Sequence, residues 1–220
     1  QVIARATEPI SSPVALACGG CEHNAAEWWE AAMRAVRKVT SDTHRVDLLT
    51  LSGQMQSLVL ADADGNILRP ALLYSDVRAS QEAAEIEQKV GAKFLVEQTA
   101  NWKGAASLLP KLLWLQRNER GVLDRAKHLL LGSHDFLFHK LTGRAMTDPT
   151  NASTTGMLSA AADKLAWCTT LLTTVGLPDT ICGKLPALAV GDDSIAAITE
   201  TAATELGIPQ LSGCRVCHGA

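Results

Sequence analysis

The sequence predicts an α/β domain built on an open sheet. Amphipathic helical periods alternate with short apolar runs along most of its length, the pattern of helices laid on strands and not of separate all-α or all-β units. Its 220 residues suffice for one full core, and 47% apolar with 20% charged residues sets aside disorder, collagen and coiled coil. With 20 Lys and Arg against 23 Asp and Glu, the net charge of −3 offers no basic field for a phosphate backbone, so nucleic acid is not an expected partner. No apolar run approaches the roughly eighteen residues that span a bilayer, since the Leu-rich stretch from Leu108 to Leu115 is broken by Pro110 and Lys111. A membrane is therefore not expected either. The chain begins at Gln1 without Met or a basic-then-apolar leader, which reads as a removed targeting segment or as part of something longer.

Taken in order, Asn24 with Glu27 three residues on predicts a capping-box start to a helix that places Trp29, Met33, Val36 and Val39 or Thr40 on one face, against the sheet. Val46 to Leu51 reads as a buried strand and Ser57 to Ala61 as another. The turn Asp62 to Asn66 returns the chain into Ile67 and Leu68, and a strand through Ala71 to Tyr74 follows. That turn is not a calcium loop, because Gly65 falls at the fourth position and no Glu closes it at the twelfth. Ser80 predicts the cap of a helix carrying Ala83, Ile86 and Val90 inward and stopping at Gly91. Pro110 opens one burying Leu112, Leu113 and Leu115 or Gln116, and Ser133 caps a shorter one ending near Gly143. Further helices are expected from about Asp163 to Val175 and from Ser194 to Leu206, stopped by Gly176 and Gly207. A last strand is read after Gly213, with Cys214, Val216 and His218 on one side.

Cysteine arithmetic offers two C-x-x-C pairs, Cys18 with Cys21 and Cys214 with Cys217, plus Cys168 and Cys182 alone. The pairs stand too far apart for a usual zinc ribbon. The haem-like form Cys214-Arg215-Val216-Cys217-His218 reads better as a strand in which Cys acts as a small hydrophobe. A metal or redox protein on these pairs is the weaker alternative, and no metal ligand is assigned. Phosphate-loop, dinucleotide, nucleophile-elbow and H-E-x-x-H signatures are missing from the sequence. His134 and His139, five apart on a helix, point to different faces and read as ordinary histidines. Asn151-Ala152-Ser153 reads as a chance sequon.

Several segments, in order, resemble the N-terminal half of the FGGY carbohydrate kinases, xylulokinases most of all. They are Glu22-His23-Asn24 with Trp28-Trp29; Ser52-Gly53-Gln54-Met55; Ile67 to Ala71 leading to Tyr74-Ser75-Asp76-Val77-Arg78; and Pro110-Lys111-Leu112-Leu113-Trp114-Leu115 with Glu119. His134-Asp135-Phe136-Leu137, Leu141-Thr142-Gly143, Thr147-Asp148 and Thr155-Gly156 continue the series. The resemblance covers nearly the whole chain and implies an actin-like, ribonuclease-H-like domain over residues 1–220, with the ATP-binding C-terminal domain absent.

In an open α/β sheet ligands sit beyond the carboxyl ends of strands, where Gln54 to Gln56 fall, and a sugar needs amide and carboxylate partners beside an apolar or aromatic wall. The residues alone leave open that Asp76 pairs with Arg78 or caps the turn before Ser80, and that Met55 is core. The resemblance implies instead that Gln54, Met55, Gln56, Tyr74, Asp76 and Arg78 face the sugar. Gln56 stands where xylulokinases usually carry His, and Asn151 near where they tend to have Asp. No catalytic residue is assigned: the family's phosphate-binding D-x-G-T hairpin would precede Gln1, and its general base, an Asp, would fall just past Ala220. ATP and Mg2+ are thus expected in the complete enzyme and not on this chain alone, which should turn nothing over. The implied function is phosphorylation of a ketopentose such as D-xylulose, in the cytoplasm or an organelle, with a homo-oligomer or a missing C-terminal half completing the assembly. The alternative is a non-catalytic remnant that binds a sugar or a partner chain.

Overall fold

In the computed structural model, which describes residues 2–40, 45–99, 101–160 and 164–218, two short antiparallel strands come first: β1 (Val14–Ala15) and β2 (Cys21–His23). Helix α1 (Ala25–Val39) follows because the Asn24 side chain accepts the Ala26 N–H, leaving the chain free to turn helical. The reciprocal half of the capping box does not form. Glu27 instead accepts the N–H of Ser11, which ties the N-terminal segment onto the helix. Then come β3 (Leu48–Leu51), β4 (Met55–Ala61) and β5 (Ala71–Leu72). The turn between β4 and β5 is the expected hairpin: Asp62 Oδ1 accepts the N–H groups of Asp64 and Asn66, and Ala61 bridges Ile67.

Helix α2 (Ser80–Val90) and α3 (Ala92–Thr99) are followed by α4 (Leu108–Asn118) and α5 (Arg120–Arg125). Ser80 is the first helical residue and not a cap, since its hydroxyl donates to the Val77 carbonyl. Pro110 lies inside the first turn of α4, which starts at Leu108 where no intrahelical donor is needed. Strand β6 (His128–Gly132) runs directly into α6 (Ser133–Thr142), whose cap position is Gly132; left-handed Gly143 ends it as expected. Strand β7 (Met146–Thr147) and α7 (Pro149–Ser153), capped by Asp148, lead to α8 (Thr169–Val175). Asp163, the expected start of that helix, lies outside the described residues. Trp167 bridges Leu158 and donates to the Pro186 carbonyl, so the helix cannot begin before it.

The remainder is β8 (Ala187–Leu188), β9 (Ile195–Ala197), α9 (Glu200–Leu206) and β10 (Arg215–His218). The expectation of one helix from Ser194 to Leu206 is corrected here. Ile195 to Ala197 pair antiparallel with Cys217 to Arg215, and the helix starts only after Thr199, whose hydroxyl accepts the Ala202 N–H. Pairing with β10 outranks the helical preference of Ala196 and Ala197.

One sheet has the order β1-β2-β5-β4-β6, a second β3-β10-β9, and β7 pairs with β8. Strands β4 and β6 are buried on both faces. Leu58, Leu60, Leu129 and Leu131 pack with Ile86, Leu112 and Leu172, while Val59, Ala61 and Leu130 pack on the other side with Ala25, Trp28 and Phe136. A third cluster joins Met33, Phe138, Leu206 and Val216. Strand β3 departs from the buried reading: among the described residues it pairs only with β10, with Leu49 and Leu51 inward and Leu48 and Thr50 toward solvent. Among the described residues no helix is long and apolar enough to cross a membrane.

Candidate functional site

The topology gathers one set of strand ends. Strand β10 lies parallel to β3 with His218 opposite Leu51, and Met55 at the start of β4 lies opposite Gly132 at the end of β6. Strand β5 runs antiparallel to β4, so the chain leaving it toward Tyr74 heads for the Met55 end of the sheet.

The link from β3 to β4 is pinned to the start of α6. A Cβ on Gly53 would collide with Ser133 Oγ and stand 3.0 Å from the His134 backbone nitrogen, so only glycine allows this approach. Gln54 then bonds twice to Ser133: its N–H donates to Oγ at 2.8 Å and its carbonyl accepts the Ser133 N–H at 2.9 Å. Its side-chain Oε1 accepts the Ser57 hydroxyl. Gln56 has φ 58°, a left-handed conformation costing a non-glycine residue about 1–2 kcal/mol, and its Nε2 donates to the Thr154 carbonyl at 2.8 Å. The register of β4 against β6 shifts across this point, between Met55 and Val59, as a bulge does when it re-aims a side chain. Met55 is left 39% exposed.

Tyr74 is 51% exposed, whereas Asp76 is fully buried. Asp76 Oδ2 accepts the Cys21 N–H at 2.7 Å, Oδ1 accepts the Arg78 N–H at 3.1 Å, and the Arg78 guanidinium contacts both oxygens. Arg78 continues to Glu22 at 2.7 Å and lies over Trp114; Glu22 binds Arg69, which reaches Glu119. Burial opposes the Arg78 charge, but Asp76 and Glu22 outweigh it and hold its pKa above the ordinary value. The Asp76–Arg78 pairing that the residues left open is therefore present, as a buried ionic floor tying β2 to the segment before α2. Beneath it, fully buried Lys111 donates to the Leu73 carbonyl at 2.7 Å. Burial draws its pKa down to about 8 against the opposing pull of Asp76.

Sequence reasoning missed a second constellation. His134 and His139 diverge as their spacing requires, and His139 packs on His128, but His134 is no isolated histidine. With Asp135, Asp148 and His218 it forms a buried cluster. His218 Nε2 lies 2.8 Å from Asp135 Oδ1, and Asp148 Oδ2 lies 3.3 Å from His134 Nε2 and 3.4 Å from His218 Nδ1. Burial works against a charged His218, yet the two carboxylates prevail and raise its pKa to about 9. Burial likewise works against the Asp148 anion, and His134, His218 and the Asn151 N–H outweigh it and lower its pKa. The Asn151 amide donates to Asp135 and to Thr147 Oγ1, where another carboxylate would repel Asp135.

The cysteine pairs do not converge. Cys18 is exposed and Cys21 half-buried; Cys214 is in the core, while Cys217 lies on the other side of β10 toward Ser194. All six are free thiols.

An α/β domain with a pinned polar loop and a bulged strand end over a buried ionic floor is thus defined. It belongs to the FGGY family of carbohydrate kinases, whose N-terminal domain matches residues 1–215. The chain is 33% identical to the xylulose kinase of Staphylococcus xylosus over 183 residues, 82% of this chain and 37% of that protein. It is 31% identical to the xylulose kinase of Escherichia coli K12 over 221 residues, 97% of this chain and 43% of that one. The solved xylulose kinase of Rhodospirillum rubrum matches with a TM-score of 0.81 at 25% identity, covering 96% of this chain and 43% of its own. At 22% identity and a TM-score of 0.81, the ligand-bound xylulose kinase of Lactobacillus acidophilus shares the fold. The fold is the actin-like, ribonuclease-H-like one, and the chain spans about two fifths of the length of these relatives.

Proposed function

We propose that these residues are the sugar-facing domain of a cytoplasmic, ATP-dependent carbohydrate kinase that converts a ketopentose, D-xylulose, to its 5-phosphate. The observation that carries this is the Ser52 to Gln56 link: Gly53 and Gln54 are locked to Ser133, and left-handed Gln56 turns an exposed Met55 out beside the end where Tyr74 emerges. Met55 and Tyr74 give an apolar and aromatic wall. Gln54 Nε2 remains a donor and Gln56 Oε1 an acceptor, the pair of partners that a hydroxyl requires. Asp76 and Arg78 act from beneath, by fixing the backbone that presents Tyr74.

Asp76 has both oxygens engaged by Cys21 and Arg78, so it does not fit a Mg2+ ligand, and no step of phosphoryl transfer is assigned through ATP or metal to these residues. Their part is to bind and orient the sugar; deprotonation of its hydroxyl falls to the rest of the kinase.

The test is calorimetric titration of the purified chain with D-xylulose, D-ribulose and glycerol, alongside Met55→Ala and Gln56→Ala. The reading expects D-xylulose to bind most tightly and each substitution to weaken it about tenfold, roughly one lost hydrogen bond or wall contact. It also expects no sugar phosphate above a blank with MgATP. Failure of every ketopentose to bind would overturn the sugar-facing reading and favour a partner-binding module.

A further inference from the structure

We propose that His134, Asp148 and His218 form a site for a divalent transition metal, zinc being the best fit, with Asp135 orienting His218 from behind. The three ligands come from separate elements that the fold brings together: the first turn of α6, the cap of α7 and the end of β10. Their side chains are 3%, 8% and 0% exposed, and their donor atoms all lie within 4.8 Å of one another.

Two of the three donor–donor edges match tetrahedral spacing. Zinc bonds of about 2.0–2.1 Å at tetrahedral angles separate neighbouring donor atoms by about 3.3 Å, whereas right-angled octahedral bonds of that length give about 3.0 Å. Asp148 Oδ2 lies 3.3 Å from His134 Nε2 and 3.4 Å from His218 Nδ1. The remaining edge, between the two imidazoles, is no longer than 4.8 Å. Although close, these atoms lack hydrogen-bond alignment: Asp148 Oδ2 and both ring nitrogens of His218 are buried without a hydrogen-bond partner. Buried polar atoms left this way are costly unless something else satisfies them.

The surrounding groups match a supported metal site. His218 Nε2 lies 2.8 Å from Asp135 Oδ1 but out of hydrogen-bond alignment, so a small ring rotation on metal entry would make Asp135 the carboxylate that orients the ligating imidazole. Asp135 is itself held by the Leu131 N–H and the Asn151 amide, and Asp148 Oδ1 by the Asn151 N–H. Metal binding would displace the proton that the two carboxylates hold on His218, and the dication would then cancel the charge of Asp135 and Asp148. Two imidazole ligands also disfavour Mg2+ and Ca2+, which prefer oxygen, and leave the fourth tetrahedral position for water.

The test is Co2+ titration of the chelator-treated full chain, followed in the visible spectrum, with Zn2+ competition, thermal melting and native mass spectrometry. One bound Co2+ with tetrahedral absorption and no thiolate charge-transfer band is expected, displaced by Zn2+ and accompanied by a higher Tm. His218→Asn and Asp148→Asn should abolish the band, and Asp135→Asn should weaken binding about 10- to 100-fold, while Cys18→Ser with Cys21→Ser leaves it intact. A band that survives the His218 and Asp148 changes, or is lost with the cysteines, would overturn the assignment. So would the absence of bound Co2+ or Zn2+ from the wild-type chain in native mass spectrometry, a readout that does not depend on any variant folding.

Discussion

Gln54 and Ser133 exchange two hydrogen bonds across the gap between the β3–β4 link and α6: the Gln54 N–H to Ser133 Oγ at 2.8 Å, and the Ser133 N–H to the Gln54 carbonyl at 2.9 Å. The loop that carries the proposed sugar contacts is therefore held by a helix start and not by its own strand. Removing the hydroxyl in Ser133→Ala should cost about 1 kcal/mol and weaken D-xylulose binding several-fold, read by chemical denaturation and sugar titration. Gly53→Ala should do more, because its methyl group meets the His134 backbone at 3.0 Å. We expect a loss of about 1–3 kcal/mol and of measurable sugar binding.

Gln56 combines a left-handed backbone with one hydrogen bond to Thr154. In Gln56→Gly, relief of about 1 kcal/mol of strain offsets loss of that bond, so stability should change by less than about 1 kcal/mol while sugar affinity falls. Gln56→Val keeps the strain, worsens it by β-branching and loses the bond, and should destabilise by more than 2 kcal/mol. Equal effects of the two substitutions on denaturation midpoints would contradict the strain account.

Arg78 is the shared cation of Asp76 and Glu22, 4% exposed at its side chain. Truncation in Arg78→Met leaves a fully buried Asp76 carboxylate with only backbone donors. The expected cost is about 3–5 kcal/mol, whereas exposed Arg120→Met, which loses a surface pair with Asp124, should cost under about 1 kcal/mol. Denaturation curves for both variants check the contrast.

Lys111 gives the stability a pH dependence. Its folded pKa of about 8 lies below the usual 10.5, so between these values the unfolded chain binds the extra proton and stability rises with pH. The burden of the buried charge is present below about pH 8 and relieved above it. Relative to Lys111→Met, the wild type should gain up to about 3 kcal/mol between pH 8 and 10.5. A flat difference across that window in paired urea titrations would refute the buried, charged state.

What the residues disclosed in advance follows the range of the interaction concerned. Asn24, the Asp62 to Asn66 turn and the helix stops at Gly143, Gly176 and Gly207 act within one turn of chain, and each was readable where it stands. Strand β9 reads as helix in the sequence because Ile195 to Ala197 is extended only by pairing with β10. The contacts of Gln54 with Ser133 were invisible for the same reason, although Gly53 beside a candidate loop was a usable hint of close packing. The His134–Asp135–Asp148–His218 cluster has no spacing to recognise, since its members lie on three separated elements. One signal was at hand: alternation along Cys214 to His218 already turned His218 inward, where a charged imidazole needs anions.

The parallel pairing of β10 with β3 joins segments far apart in sequence, Arg215 to Leu48. Until Arg215 to His218 have left the ribosome, Leu48 to Leu51 lack their β10 partner, and the link they lead into has no fixed starting point on that side. The β4–β6 core and its helices can form early from nearer neighbours, so the Ser52 to Gln56 link should be the last part to settle. During synthesis the side of β3 that β10 later covers is open to chaperones and to mispairing.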